Sequence, residues 1–281
     1  MHEVGSDRPL CLQEAEMHAR LPTYFISHGG GPWPWVPDMR AMFANLERSL
    51  KDMAAELGDR PKAILVISGH WESDDVAIMA SPAPPMVYDY FGFPPETYDV
   101  LYPAPGAPAL ARKALDLLTA AGITAHLDES QGFDHGTFAP LAIMYPNADV
   151  PIFQISLLKS YDPAAHLAVG RALSALRDEG VVIVGSGLSY HNLKLFGPGA
   201  KVPSEAFDAW LGEALARSPE ERIAAVLDWE HAPYARVCHK KEDHLLPLFV
   251  ALGAAEDDPA TRIYHDENLM GGVTASSYRF G

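Results

Sequence analysis

Cysteine is scarce: only Cys11 and Cys238 occur in 281 residues, with no C-x-x-C spacing. A disulfide framework and a zinc ribbon are therefore excluded, and the usage fits a reducing cytoplasm. Cationic residues are also in short supply. Lysine and arginine number 21 against 37 aspartates and glutamates, giving a formal net charge of −16 with no basic run anywhere. A phosphate backbone would be repelled by that field, which argues against nucleic acid as a partner. Long apolar runs are missing as well. No stretch reaches the roughly 18 continuous apolar residues of a membrane span, and the start, MHEVGSDRPLCLQEAEMHAR, carries acids and no apolar segment of signal-peptide length. The expectation is a cytoplasmic protein without a membrane partner.

Several catalytic signatures are lacking too. There is no H-E-x-x-H, so a zincin helix is unsupported. There is no G-x-S-x-G, since Gly185-Ser186-Gly187 has the wrong spacing for a nucleophile elbow. Gly29-Gly30-Gly31 runs straight into Pro32 and does not make a dinucleotide fingerprint. The glycines are better suited to turning the chain beside His28.

What is present is a globular composition, 48% hydrophobic and 21% charged. Residues 1–20 are polar without a clear period and read as a flexible arm, leaving residues 21–281 as a single domain. Short β-branched runs alternate with helical-period segments, the pattern of an α/β fold with a mostly parallel central sheet flanked by helices. Strands are expected at Thr23–Ser27, Ala63–Ser68, Ile152–Leu157 and Val181–Gly185. The run AILVIS has no polar interruption before Ser68, as expected of a central strand covered on both faces. Helices are expected over 38–57, 163–179, 204–216, 219–229 and 243–254. In the first, Met42, Phe43, Leu46, Leu50, Met53 and Leu57 recur at three- and four-residue steps, with Gly58 at C′. Residues 82–106 interleave seven prolines with Tyr88, Tyr90, Phe91, Phe93, Tyr98 and Tyr102. That density forbids regular structure, and so many aromatics suit an ordered loop roofing an apolar pocket.

The chemistry lies in where several of the 12 histidines fall. His28 follows the first strand, His70 the second, and His191 comes six residues after VVIVG. In open α/β sheets ligands collect beyond the carboxyl ends of the strands, so three histidines there share one crevice, with glycines letting the backbone come close. His244 stands where the last helix begins, and His135 follows Asp134 in a Gly-Phe-Asp-His-Gly turn. Neutral imidazoles suit Zn, Fe, Ni or Cu; two histidines and a carboxylate suit non-haem Fe(II), with Glu72, Glu242 and Asp243 the carboxylate candidates.

The runs Ser27-His28-Gly29-Gly30, Ser68-Gly69-His70-Trp71, Phe91-Gly92-Phe93-Pro94 with Tyr102-Pro103-Ala104-Pro105-Gly106, Phe133-Asp134-His135-Gly136-Thr137, Ser186-Gly187 with His191-Asn192-Leu193, and His244-Leu245-Leu246-Pro247-Leu248 occur in this order. Together they resemble the DOPA-dioxygenase type of the LigB-like (class III) extradiol ring-cleavage dioxygenases, over about residue 21 to the last. The resemblance implies one α/β catalytic domain over 21–281 with a metal site at the carboxyl edge of the strands, holding Fe(II), or Zn(II) in its place. It implies His28, His70 and His244 as metal ligands, and His191 and His135 as the catalytic histidines. Members of the broader class use a glutamate as third ligand, whereas the matching position here is His244, with Glu242 two residues earlier. The implied partners are O2 and a catechol, DOPA-like or a related catecholic acid, opened to a semialdehyde, with Arg236, Lys240, Lys241 or Arg279 as candidates to hold a carboxylate. A zinc-dependent hydrolase on the same scaffold and a non-catalytic interaction protein are the alternatives, distinguished by activity without oxygen and by failure to bind metal.

Overall fold

The structure is a computed structural model that describes residues 20–281. Nearly all of the expected N-terminal arm lies outside the described residues. The strands are β1 (Thr23–Ser27), β2 (Ala63–Ser73), β3 (Val76–Met79), β4 (Ala125–Asp128), β5 (Ile152–Leu158), β6 (Val181–Gly187), β7 (Ala260–Leu269) and β8 (Val273–Phe280). They form one sheet in the order β4-β3-β5-β2-β6-β1-β8-β7. Its centre, β5-β2-β6-β1, is parallel, and both flanks bring in antiparallel pairs, β3 with β5 on one side and β1-β8-β7 on the other. The four strands expected from sequence are the four central ones. Their unbroken apolar runs follow from cover on both faces. The edge strands escaped the reading because β3 and β4 have only four residues each and β7 and β8 are rich in polar residues.

The helices are α1 (Pro37–Met42), α2 (Ala44–Leu57), α3 (Pro108–Ala120), α4 (His135–Met144), α5 (Pro163–Leu173), α6 (Lys201–Leu215), α7 (Pro219–Leu227), α8 (Ala235–Cys238) and α9 (Leu246–Ala255). Successive residues of β6 show how they are divided. Gly185 backs onto Pro247 of α9, while Ser186 donates from Oγ to the Gly136 carbonyl of α4, so α9 and α4 cover opposite faces. All ten residues of α9 are buried. The guanidinium of Arg177, itself buried, closes that end of the core: Nε donates to the Leu21 carbonyl at 2.6 Å, Nη1 to the Ala254 carbonyl at 2.9 Å, and Nη2 pairs with Asp258.

Three boundaries differ from expectation in ways that matter for the site. The helix expected over 38–57 is two helices, interrupted at Phe43, whose ring is buried against Trp33 at 5.4 Å between centroids. Packing of that ring overrides the helical period, and Met42 ends up 47% exposed. The second strand runs on past Ser68 to Ser73 through a register shift between Ile67 and Glu72, so His70 sits within the irregular part of a strand. The last helix begins at Leu246, which leaves His244 in the loop before it.

The proline-rich segment is held by tyrosine hydroxyls. Tyr88 donates to the Val100 carbonyl at 2.7 Å and Tyr90 to that of Thr97 at 2.6 Å, while Tyr102 reaches the Leu141 and Tyr145 carbonyls of the α4 end at 3.1 and 3.0 Å. As expected, the loop is anchored on the body of the protein.

Candidate metal centre

Beyond the carboxyl ends of β1, β6 and β2, which lie side by side, five histidine rings meet. His28 continues β1, its N–H donating to the Gly187 carbonyl at 3.2 Å. The chain then turns through Gly29 at φ 83°, a left-handed conformation that costs a side-chain-bearing residue, and a Cβ there would strike the indole of Trp33. That indole returns beneath the turn and donates to the His28 carbonyl at 2.8 Å. On β6, Gly187 has no side chain because the backbone of His244 passes directly over it, and Leu188 N–H donates to the His244 carbonyl at 2.9 Å. His191 is fixed by its N–H, which donates to the Cys238 carbonyl at 3.0 Å.

The rings are close enough to share one small ligand. His28 lies 5.0, 5.1 and 5.2 Å from His70, His244 and His135 between centroids, and His70 lies 4.6 Å from His244 and 4.0 Å from His135. His191 stacks on His244 at 3.5 Å. Ring nitrogens of His28, His70 and His135 fall within 4.8 Å of one another, as do ligand atoms of His191, Asp243 and His244. The Nε2 atoms of His70 and His244 are 3.1 Å apart. Both ring nitrogens of His28 are buried without a hydrogen-bond partner, a costly arrangement unless something else occupies them.

Carboxylates stand behind the imidazoles. Asp89 lies 2.9 Å from His135 Nδ1 and 3.2 Å from His70 Nδ1, and it also accepts from the His135 backbone N–H at 3.0 Å. Asp243 stands 3.1 Å from His244 Nδ1 and 3.5 Å from His191 Nδ1. Asp89 is hydrogen-bonded to His135 Nδ1, and the two carboxylates lie on the Nδ1 side of His70, His191 and His244, while the Nε2 atoms of His70 and His244 face each other; outer carboxylates orient metal-binding histidines from this side. Below them, Ser68 donates to Asp134 at 2.6 Å and Gln154 to its other oxygen at 3.0 Å.

Electrostatics keeps the donors neutral. Burial pushes His28 well below its ordinary pKa, and the neighbouring imidazoles, led by His244, add to it. His70 is lowered by burial and then by His135. Burial brings His244 down to about 4 although Asp243 opposes it. Burial works to raise Asp243, but the adjoining His191 and His244 outweigh it and hold that carboxyl well below the usual range. Asp134 goes the other way, up to about 6, through burial and the nearby charge of Asp89. Neutral imidazole is the ligating form, so His28, His70 and His244 offer metal-ready nitrogens at neutral pH.

All five histidines singled out from sequence are thus brought together. The other carboxylate candidates are not: Glu72 pairs with Lys241 at 2.7 Å and Glu242 with Arg236 at 2.7 Å, both away from the rings. Sequence reasoning missed Asp89, whose position in the proline-rich loop carries no spacing signal, and it left Asp134 as a turn residue. Other histidines show what a structural role looks like. His166 uses both ring nitrogens on backbone of Leu158 and Asp162, and fully buried His239 sets Nε2 on the Ser189 carbonyl.

The rings form the floor of a cavity of about 360 Å³. Its walls are apolar and aromatic, with Phe43, Tyr90 and Phe93 inside and Phe91, Leu193 and Phe196 at the mouth. That is room for a single aromatic ring with a substituent.

Residues 23–281 match the family described as the catalytic LigB subunit of aromatic ring-opening dioxygenase. The chain is 36% identical over 280 residues to 4,5-DOPA dioxygenase extradiol of Escherichia coli K12, covering 97% of this chain and 99% of that one. It is 36% identical over 262 residues to the protein of the same name from Beta vulgaris, covering 92% and 96%, and 36% identical over 282 residues to dioxygenase tasH of Hapsidospora irregularis, covering 92% and 85%. Among solved structures, an uncharacterized protein of Escherichia coli K12 superposes with a TM-score of 0.75 at 30% identity, over 93% of this chain and all of that one.

Proposed function

The chain belongs to the LigB family of aromatic ring-opening dioxygenases, and from that membership we propose that it opens the ring of a catechol with O2, beside one hydroxyl, to a semialdehyde acid. Dioxygenases of this family are metal-dependent, and Fe(II) is the metal we assign to this chain, with residues 21–281 as the catalytic domain. The observation that carries the reading is His28, with two buried, unpartnered ring nitrogens and three further imidazoles within 5.2 Å.

The donor set fits a divalent metal of borderline softness. His28, His70 and His244 are the ligands we assign, the last two presenting Nε2 because Asp89 and Asp243 stand at their Nδ1 atoms. When bound, a ferrous ion supplies Lewis acidity that lowers the pKa of the catechol hydroxyls and a redox path between the electron-rich ring and dioxygen. The protein's own groups do the rest. His191 lines the cavity with Nδ1 turned to Asp243, and its Nε2 is the base that takes a hydroxyl proton from the catechol. His135, with Nδ1 held by Asp89, has Nε2 free to hold or return a proton as the ring opens. Phe43, Tyr90 and Phe93 position the aromatic ring and exclude water.

The test is anaerobic reconstitution with Fe(II), addition of catechol, 4-methylcatechol and L-DOPA, and admission of air. The expected result is uptake of O2 with a yellow product carrying both of its atoms by mass analysis. Activity that required Zn(II) and no oxygen, or no turnover of any catechol, would overturn the reading.

A further inference from the structure

Within the ring-opening reading, on which this step rests, the identity of the catechol is narrowed by what the cavity contains and what it lacks. Among the described residues, none that lines it is lysine or arginine. The four cations that sequence put forward to hold a carboxylate are all elsewhere. Arg236 pairs with Glu230 and Glu242, Lys241 with Glu72, and Arg279 with Glu56, while Lys240 is exposed and lines no part of the cavity. Asp89, the one carboxylate in the lining among the described residues, adds to the negative side of the balance, and the chain carries −16 overall. A substituent ending in a carboxylate and pointing away from the metal site would enter an apolar space with no cationic side chain to pair with and lose its hydration there.

The mouth supplies what an apolar substituent needs. Phe91 is 91% exposed, Leu193 69% and Phe196 40%, and all three border the cavity. Three large apolar side chains held open to water at the rim of an apolar chamber mark a surface that something covers. Continuity with the cavity above the histidine rings makes the tail of the bound catechol the occupant.

We propose that the preferred substrate is an uncharged catechol whose apolar alkyl or aryl tail lies over Phe91, Leu193 and Phe196, chosen over catechols of equal length that carry a carboxylate. Its binding component is read without turnover. The full chain is titrated in a calorimeter with 4-alkylphenols from ethyl to hexyl and with 4-hydroxyphenylalkanoates of matching length; kcat/KM of the Fe(II)-loaded protein is measured for 4-alkylcatechols, the matching catecholic acids and L-DOPA. Affinity and kcat/KM are expected to rise about three- to fourfold per methylene that becomes buried, with the acids at least tenfold behind. Phe91→Ala should flatten the alkyl series, and Leu193→Lys should narrow the gap to the acids.

Alkylphenols that tighten with length while no catechol is opened would leave the tail site standing and remove the ring-opening reading. Turnover of 4-methylcatechol with no dependence on tail length, or with acids preferred, would leave that reading standing and overturn this proposal. A Phe91→Asp variant that dissociates an oligomer in sedimentation while leaving the alkyl series intact would also overturn it, by assigning the rim to contact between copies.

Discussion

At the scale of single residues, the site divides labour by what stands at each Nδ1. His28 has no carboxylate there and lies deepest, so His28→Ala, like His70→Ala, is expected to leave less than a tenth of the wild-type iron after anaerobic reconstitution, measured by metal analysis. His191→Ala is expected to keep most of the iron and lose turnover by at least about 100-fold, the usual worth of a positioned base; equal metal loss in all three variants would refute the division. Asp89 has to serve two imidazoles, His70 and His135. An asparagine offers one acceptor oxygen to two Nδ1–H groups, so Asp89→Asn should lower iron affinity or kcat/KM by about 10–100-fold and distort the pH profile of kcat/KM. Values within twofold of wild type would show that Asp89 does not orient the rings. Four of the five histidines could be read from the chain because each follows a recognisable strand or sits in a compact glycine-containing motif, and His244 because it stands where the last helix was expected to begin. Asp89 could not, because it reaches His135 across 46 residues of sequence from a loop whose only pattern is proline and aromatic content.

At the scale of elements, the break at Phe43 is bridged by charge. Arg40 of α1 grips Glu47 of α2 through Nε and Nη2 at 2.8 and 2.7 Å, and Lys51 reaches the same carboxylate at 2.6 Å. These contacts, the Arg40 hydrogen bond foremost, hold the Glu47 carboxyl down at about 2. A depressed acid contributes stability that is complete above its unfolded pKa of roughly 4.3 and fades as pH falls towards 2. Glu47→Gln is therefore expected to cost about 0.5–1 kcal/mol at pH 7 and progressively less as pH falls from about 4 through 2, read from denaturant melts across that range; a cost that did not shrink with acid would reject the pairing. The same elements show where sequence reading stops. Central strands were legible because burial on both faces writes an uninterrupted apolar run. The helix break was not, since it is set by the ring of Phe43 packing on Trp33, a contact no local period encodes. The β7–β8 hairpin was missed because its strands alternate polar residues that only the neighbouring β1 and α6 make sense of.

At the scale of the whole molecule, charge and topology act together. A net −16 repels anions over a Debye length, so an anionic catechol is expected to be captured a few-fold faster when ionic strength rises from about 0.02 to 0.3 M, while neutral 4-methylcatechol stays within about 1.5-fold. Equal salt responses in stopped-flow capture would show that the field does not reach the cavity. The sheet order has a separate consequence, for synthesis. β1, the earliest strand, is bordered by β6 on one side and by β8, the latest, on the other. A nascent chain leaving a ribosome therefore keeps one edge of β1, the strand that carries His28, bare until residues near 280 have cleared the exit tunnel. Closure of that edge has to wait for the β7–β8 hairpin, and holdase chaperones have their longest opportunity there.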